Sequence, residues 1–182
     1  KYQVQERSYL EEMQQDIERL KTITGRFSKI GSTPTLTIED AVQITKTTMN
    51  YLEARSSKLI EFKVSLPDAP IKLPLNVELI SWTLENLVKN GIDAMKGKGT
   101  ISVTLIEKNK SLFWHISDVG HGIPKRLQTQ IFKPGFTTKK RGWGLGLSLA
   151  KRIVQTYHKG RIKVLKSNKE GTTIEVSLRL PT

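Results

Sequence analysis

The sequence predicts a two-layer α/β sandwich led by a coiled-coil-like N-terminal helix. Three observations predict it: a heptad seam confined to the first thirty residues, helical periodicity interleaved with short alternating strands beyond it, and strands joined mostly by hairpin-length turns. With 182 residues and 37% apolar side chains, the chain can bury the core of one domain with a small appendage.

The seam consists of Leu10, Met13, Ile17 and Leu20, then Phe27, with Thr24 between them, in alternating steps of three and four. Such spacing lets a helix bury a narrow stripe against another helix. The polar remainder (Glu11, Glu12, Gln14, Gln15, Asp16, Glu18, Arg19) gives it little to fold back with, so self-association is expected. Packing on its own domain is the alternative. Gly31 to Thr37 (GSTPTLT) stops the helix and supplies a linker, which divides the chain into residues 1–32 and 33–182. Thr37 and Asp40 resemble a capping box opening a second helix, with Ile38, Ala41, Val42, Thr45, Met49 and Leu52 along one face. Ile60 to Leu66 alternates as a strand, and Pro74 to Met95 reads as a long helix. After a turn at 96–100, Ile101 to Ile106 and Leu112 to Ser117 form a hairpin around Glu107 to Lys110. A further helix follows the glycines at 142–146 and ends near Gly160, and strands at about 161–166 and 172–180 close the domain.

Charge is uneven. Lys and Arg number 30 against 17 Asp and Glu, and between Lys139 and Lys166 there are nine basic residues and no acidic one. That run suits nucleotide phosphate, an acidic protein, nucleic acid or a membrane surface, and equally a solvated basic face. The absence of cysteine excludes a disulfide framework and thiolate zinc sites. No stretch approaches the roughly 18 apolar residues of a membrane span, and the N-terminus lacks a signal-peptide pattern. A reducing, cytoplasmic setting is expected. The missing initiator Met marks the chain as a fragment, whose intact form reaches a membrane, if at all, through other regions.

Three segments carry chemistry. Asp118-Val119-Gly120-His121-Gly122-Ile123 follows a strand, where a carboxylate can accept from an exocyclic amine and glycines let backbone approach a flat ring; such a turn can also be only a turn. Arg141-Gly142-Trp143-Gly144-Leu145-Gly146-Leu147 leads into a helix, whose unpaired amides and positive dipole end suit a phosphate. No strand runs directly into it and no G-K-[ST] ends it, so it is neither a dinucleotide fingerprint nor a Walker loop. On the preceding helix Asn86, Asn90 and Asp93 share a face, beside an apolar face of Leu84, Leu87, Val88, Ile92 and Met95. Their oxygens suit a hard cation or, equally, water.

The ordered segments NLVKNGIDA, DVGHGI, IFKPGFTTK, GWGLGLSLAKRIV and GTTIEVSLRLP resemble the catalytic domain of sensor histidine kinases, in the superfamily shared with DNA gyrase, mismatch-repair and chaperone ATPases. The resemblance spans roughly residues 37–182. It implies a Bergerat-type ATP-binding fold, a mixed sheet with helices on one face, with ATP or ADP and Mg²⁺ as cofactors. Asn90 would help bind Mg²⁺ and Asp118 would read the adenine amine. Gly120, Gly122, Ile123 and Thr172 would shape the adenine pocket, and Asp93 would join the site. Phe136, Thr137, Thr138 and Lys139 would belong to a lid over the phosphates, Lys139 as a catalytic cation. Gly142, Trp143, Gly144, Leu145, Gly146 and Leu147 would hinge that lid and contact phosphate. Asn86 stands where the hydrolysing relatives place a water-activating glutamate. Asn cannot act as that base, which favours phosphoryl transfer over hydrolysis.

One departure is Gly91, where the family usually has Ala; mid-helix Gly costs about 0.5–1 kcal/mol. The N-terminal helix resembles the second helix of the family's dimeric stalk. The first stalk helix, with its phospho-accepting histidine, is absent, and His115, His121 and His158 lack the acidic residue that should follow it. The resemblance therefore implies a homodimer through the N-terminal helix, a response regulator receiver domain as partner, and no nucleic acid. Two other functions stay open: an ATP-hydrolysing clamp of the same superfamily, for which Glu85 is about 100° off around the helix, and a basic nucleic-acid-binding module.

Overall fold

A computed structural model describes residues 34–139 and 143–181. The heptad seam at Leu10 to Phe27, the break at Gly31 and the second glycine cluster's Gly142 lie outside these residues.

The first element is a strand. Thr37–Asp40 (β1) pairs antiparallel with Lys72–Leu75 (β3), forming a two-stranded sheet. Helix α1, Ala41–Glu53, therefore starts four residues later than its expected capping box at Thr37. Its N-cap is Asp40, whose Oδ1 accepts from the Val42 amide at 2.9 Å and the Ile71 amide at 3.1 Å. Ile38, expected on the buried helix face, is 62% exposed. Pro74 likewise belongs to β3, and the long helix α2 spans Val77–Ala94 behind its N-cap Asn76, whose Oδ1 accepts from Leu79. A proline is tolerated in β3 because that sheet has only edge strands.

The main sheet is mixed. Ile60–Ser65 (β2), Gly99–Lys108 (β4), Ser111–Asp118 (β5), Gly171–Arg179 (β7) and Arg161–Asn168 (β6) lie side by side in that order. Among the described residues only β2 and β4 run parallel. The β4–β5 hairpin is longer than the sequence predicts: its turn is Asn109 and Lys110 alone, both with positive φ (51° and 56°), the twist-matched geometry of two-residue hairpins.

Alternation along the strands defines the layers. Ile101, Val103 and Leu105 of β4, Leu112, Trp114 and Ile116 of β5, and Ile174, Val176 and Leu178 of β7 are buried on one face. They form a continuous core with Ile80, Leu84, Leu87 and Val88 of α2 and Met49 and Leu52 of α1. The opposite face, with Ser102, Thr104, His115 and Ser117, stays partly exposed, as antiparallel sheets allow. Trp114, among the largest fully buried side chains, donates its indole N–H to Thr45 Oγ1 at 2.8 Å, and Thr45 donates to the Ala41 carbonyl. That chain satisfies a buried donor which would otherwise cost about 1–3 kcal/mol.

The last helix, α3, spans Gly146–Arg152 and loosens into a π-turn over Ile153–Tyr157. Among the described residues no helix is long and apolar enough to cross a membrane.

Candidate functional site

The site residues fall at one end of the core layer, in two groups. The first is built on strand ends. Asp118 closes β5, and its register partner across the β5–β7 ladder is Thr172. Both share the inward parity of Ile116 and Ile174, so their side chains face the helices. Asp118 Oδ1 accepts from the Gly120 amide at 2.8 Å. Burial raises the Asp118 pKa above its ordinary value, opposed by the Gly120 and Thr172 amides and by His121.

Two glycines bring backbone close at this group. Gly122 has φ +72°, and a Cβ there would meet the Asn168 carbonyl oxygen at 1.8 Å, so no other residue fits. Gly91 of α2 faces Asp118: a Cβ would lie 2.7 Å from Ile101 Cδ1 and 3.1 Å from Asp118 Cβ. The sequence shows only the helical cost of Gly91. The structure adds a close approach between α2 and the carboxylate that a methyl group would crowd. Ile123 is held by its amide, which donates to Ser167 Oγ at 2.7 Å.

The second group lies on α2 and the segment that follows the DVGHGI loop. Lys139 Nζ donates to Asn90 Oδ1 at 2.9 Å and to Asp93 Oδ2 at 2.5 Å. The i, i+3 pair on α2 thus gathers its oxygens around one cation, as its helical spacing predicts. Thr137 Oγ1 accepts from the Lys139 amide at 3.1 Å, and Thr138 is exposed. Gly135 donates to the Gly144 carbonyl at 3.1 Å, closing the base of this loop. Phe136 and Leu147, candidates from the sequence, pack against the core, and the Phe136 amide donates to the Lys133 carbonyl at 3.2 Å; Trp143 is 58% exposed.

Helix α3 starts here, and its N-cap residue Leu145 supplies no side-chain hydrogen bond. Asn86 of α2 lies against that start, its Oδ1 3.2 Å from where a Gly146 Cβ would be. Its Nδ2 is buried with no hydrogen-bond partner. A buried orphan donor beside uncapped helix amides is an arrangement that an anion satisfies.

The histidines are all otherwise engaged. His115 Nε2 lies 3.0 Å from Glu175 Oε2, and Glu175 also holds Lys163 at 3.0 Å. Although burial acts to raise it, the Glu175 pKa is lowered by its bonds to Lys163 and His115. His121 Nδ1 lies 2.8 Å from the Gly122 carbonyl. His158 departs from expectation. At the end of a helix it would favour the charged form, yet it is buried, and burial lowers its pKa. Its Nδ1 lies 3.0 Å from the Ile153 carbonyl and its Nε2 accepts from the Asn76 amide at 3.1 Å, so it joins α3 to the cap of α2. Neither Ser167 nor His158 was marked by any sequence motif, since both act through partners distant in the chain.

Residues 76–182 match the family model described as histidine kinase-, DNA gyrase B-, and HSP90-like ATPase. Sporulation kinase A of Bacillus subtilis is 35% identical over 92 residues, half of this chain and 15% of that protein. Sensor protein TdiS of Thauera aromatica is 29% identical over 153 residues, 80% of this chain and 28% of that protein. The chain thus spans well under a third of the length of these relatives. The catalytic domain of histidine kinase ThkA superposes with a TM-score of 0.73 at 26% identity, covering 80% of this chain and 96% of that one. ThkA in complex with the response regulator protein TrrA is similar in fold, with a TM-score of 0.76 at 23% identity, covering 92% of this chain and 49% of that one. With residues 76–182, more than half of its length, matched by that model, the chain belongs to the histidine kinase-, DNA gyrase B- and HSP90-like ATPases and carries the ATP-binding catalytic domain of sensor histidine kinases.

Proposed function

We propose that this chain binds ATP with Mg²⁺ and presents the γ-phosphate to a histidine on a stalk helix outside the sequence, for relay to an aspartate of a response regulator. In this proposal Asp118 accepts from the adenine amine within a pocket shaped by Gly120, Gly122, Ile123 and Thr172. The phosphates lie against the amides of Gly142, Gly144, Leu145, Gly146 and Leu147, with Trp143, Phe136, Thr137 and Thr138 lining the lid. Asn90 holds Mg²⁺ with Asp93 beside it; the ammonium of Lys139 on these two oxygens supports their fit to a cation. Mg²⁺ sites commonly need only one or two protein oxygens, so this pair would suffice to hold it. When bound, the metal neutralises charge on the phosphates. Lys139 is then free to turn to them. Residues 1–32 are proposed as the second stalk helix of a homodimer, and residues 33–182 as the catalytic domain.

Asn86 is the observation that carries transfer over hydrolysis. A hydrolysing relative needs a carboxylate base there, whereas Asn86 offers an unpaired buried amide donor beside the start of α3. Such a donor can hold phosphate but cannot take a proton from water. Glu85, the nearest carboxylate in sequence, is bonded to Lys89 at 2.6 Å.

In-line transfer needs a nucleophile about 3–3.5 Å from phosphorus. His115, His121 and His158 are held by Glu175, Gly122, and Ile153 with Asn76, respectively. Incubation with γ-labelled ATP should leave the chain unlabelled. Adding the stalk helix with its histidine should give acid-labile, base-stable label on that helix. Strong label on any of the chain's own histidines, or steady ATP turnover, would overturn the proposal.

A further inference from the structure

From the contact between α2 and the end of β5, we infer that Gly91 and Ile101 form a matched pair that sets how closely Asp118 sits to α2. Both are thus positioning residues for recognition of the base. The inference rests on the adenine assignment to Asp118 proposed above.

Three elements meet at this contact. Gly91 is buried on α2, one residue after Asn90. Ile101 lies on β4, and its register partner on β5 is Asp118. A Cβ on Gly91 would lie 2.7 Å from Ile101 Cδ1, 3.1 Å from Asp118 Cβ and 3.5 Å from Asp118 Oδ2. Carbon atoms pack best about 3.5–4.0 Å apart, so the Ile101 δ-methyl already takes the volume that a side chain at 91 would need. Ile101 is 0% exposed, and a close-packed interior gives that methyl little room to move aside.

Helix propensity alone disfavours glycine inside α2. What glycine supplies is a short distance from α2 to the end of β5, with Ile101 filling the seam. The same turn of α2 carries Asn90, whose Oδ1 holds Lys139 at 2.9 Å. The contact therefore fixes the span between the group assigned to the base and the group assigned to the metal. A methyl group at 91 would have to open the seam by about 0.8 Å, from 2.7 Å to an ordinary contact of about 3.5 Å. Binding groups must be held to within about 0.5 Å, so a shift of that size is felt. Asp118 is the member that yields, since it ends β5 and leads into the Gly120 turn, whereas Ile101 lies within β4, which is paired on both sides.

The test compares ADP with purine riboside 5′-diphosphate, which lacks the exocyclic amine, by titration calorimetry. Losing one directed hydrogen bond that leaves its partner unpaired weakens binding about tenfold, so the wild type should bind the analogue about tenfold more weakly than ADP. In Gly91→Ala, ADP should weaken to within about twofold of the analogue, while the analogue keeps its affinity. Alanine favours the helix more than glycine does, so such a loss does not come from a weaker helix propensity in α2. Adding Ile101→Val to Gly91→Ala removes the crowded methyl and should reopen the gap. Ile101→Leu conserves volume but places two methyl groups at the depth of Cδ1, so with Gly91 in place it should narrow the gap from the sheet side. That variant keeps the test decisive if Gly91→Ala fails to fold. A gap that survives in Gly91→Ala, or in Ile101→Leu where Gly91→Ala does not fold, would overturn the inference. An equal fall for both ligands would mark the pair as structural support only and overturn it too, as would a gap that stays closed when Ile101→Val is added. Equal affinity of the wild type for the two ligands would instead overturn the adenine assignment to Asp118 itself.

Discussion

The two ends of the site are built on opposite principles. At the strand ends the chain satisfies its own groups: Asp118 takes the Gly120 amide, Ser167 takes the Ile123 amide, and Thr172 bonds to Ser167. At the helix ends it leaves them open. Helices α1 and α2 are capped by Asp40 and Asn76, yet α3 has no side-chain cap and Asn86 Nδ2 beside it has no partner. A missing cap costs about 0.5–2 kcal/mol and a buried unpaired donor about 1–3 kcal/mol. In the function proposed above, that third terminus is left to the ligand: the strand end is preorganised to discriminate a base, and the helix end is completed by what binds there.

The sharpest way to break this comparison is at Asp118. In the structure burial raises its pKa against the hydrogen bonds its carboxylate already accepts from the Gly120 and Thr172 amides. It therefore needs its acceptor capacity on both oxygens to take an adenine amine too. Asp118→Asn keeps the size but turns one acceptor into a donor. ATP affinity should fall tenfold or more by calorimetry while the thermal melt stays close to wild type. An unchanged affinity would remove the base assignment, and with it the contrast between the two ends.

How much of this was legible depended on how local the chemistry is. The glycine segments, the Asn90–Asp93 spacing and the order of motifs are sequence-local, and Asn90 and Asp93 do meet on one cation, Lys139. Long-range partners were not legible. Ser167 reaches Ile123 across 44 residues and Lys139 reaches Asp93 across 46, contacts set by strand register and loop path. Strands β1 and β3 were missed because each has four residues, and each adjoins a helix whose periodicity runs on through it. Thr37 imitated a cap because the true one, Asp40, lies three residues on. Gly91 looked like a loss of helix stability, since its neighbour Asp118 comes from another strand.

A smaller effect is expected at the helix end. The Lys139–Asp93 pair is about half exposed, with side chains 46% and 54% accessible, so it is worth less than about 1 kcal/mol. It still occupies the oxygens assigned to Mg²⁺. Asp93→Asn should loosen Lys139 and raise the affinity for ATP without Mg²⁺ by up to about fivefold. The further gain on adding Mg²⁺ should shrink, because a carboxylate beside the metal has been lost. Titrations with Mg²⁺ and with a chelator separate the two. If neither changes, Lys139 is not a stand-in for the metal, and the helix end is not held open for a cation in the way proposed.

The smallest effect on nucleotide should come from His158, which belongs to neither end yet pins both helices of the open one. Its ring needs the neutral form: Nε2 accepts from the Asn76 amide, so the hydrogen lies on Nδ1, toward the Ile153 carbonyl. Burial lowers its pKa from 6.5. A histidine whose folded pKa lies below its unfolded one binds its proton more readily when unfolded. Its contribution to stability is therefore complete above about pH 6.5 and is lost as pH falls toward the folded pKa. His158→Gln can still accept from Asn76 and donate to Ile153, but it does not titrate. The wild-type Tm should drop between pH 7.5 and 5, and the drop should be smaller in His158→Gln. His158→Ala removes the ring that accepts from the Asn76 amide, while the backbone of residue 158 still donates to the Ile153 carbonyl, and should cost about 1–3 kcal/mol at neutral pH. In both variants ADP affinity at pH 7.5 should stay within about twofold, since among the described residues the hydrogen bonds of His158 go to Asn76 and Ile153, neither of which is assigned to nucleotide. Parallel melting profiles for wild type and His158→Gln would show that the acid-labile pin lies elsewhere. A large loss of ADP affinity at pH 7.5 would show instead that the α2–α3 junction sets the phosphate end, which would make that end as preorganised as the other.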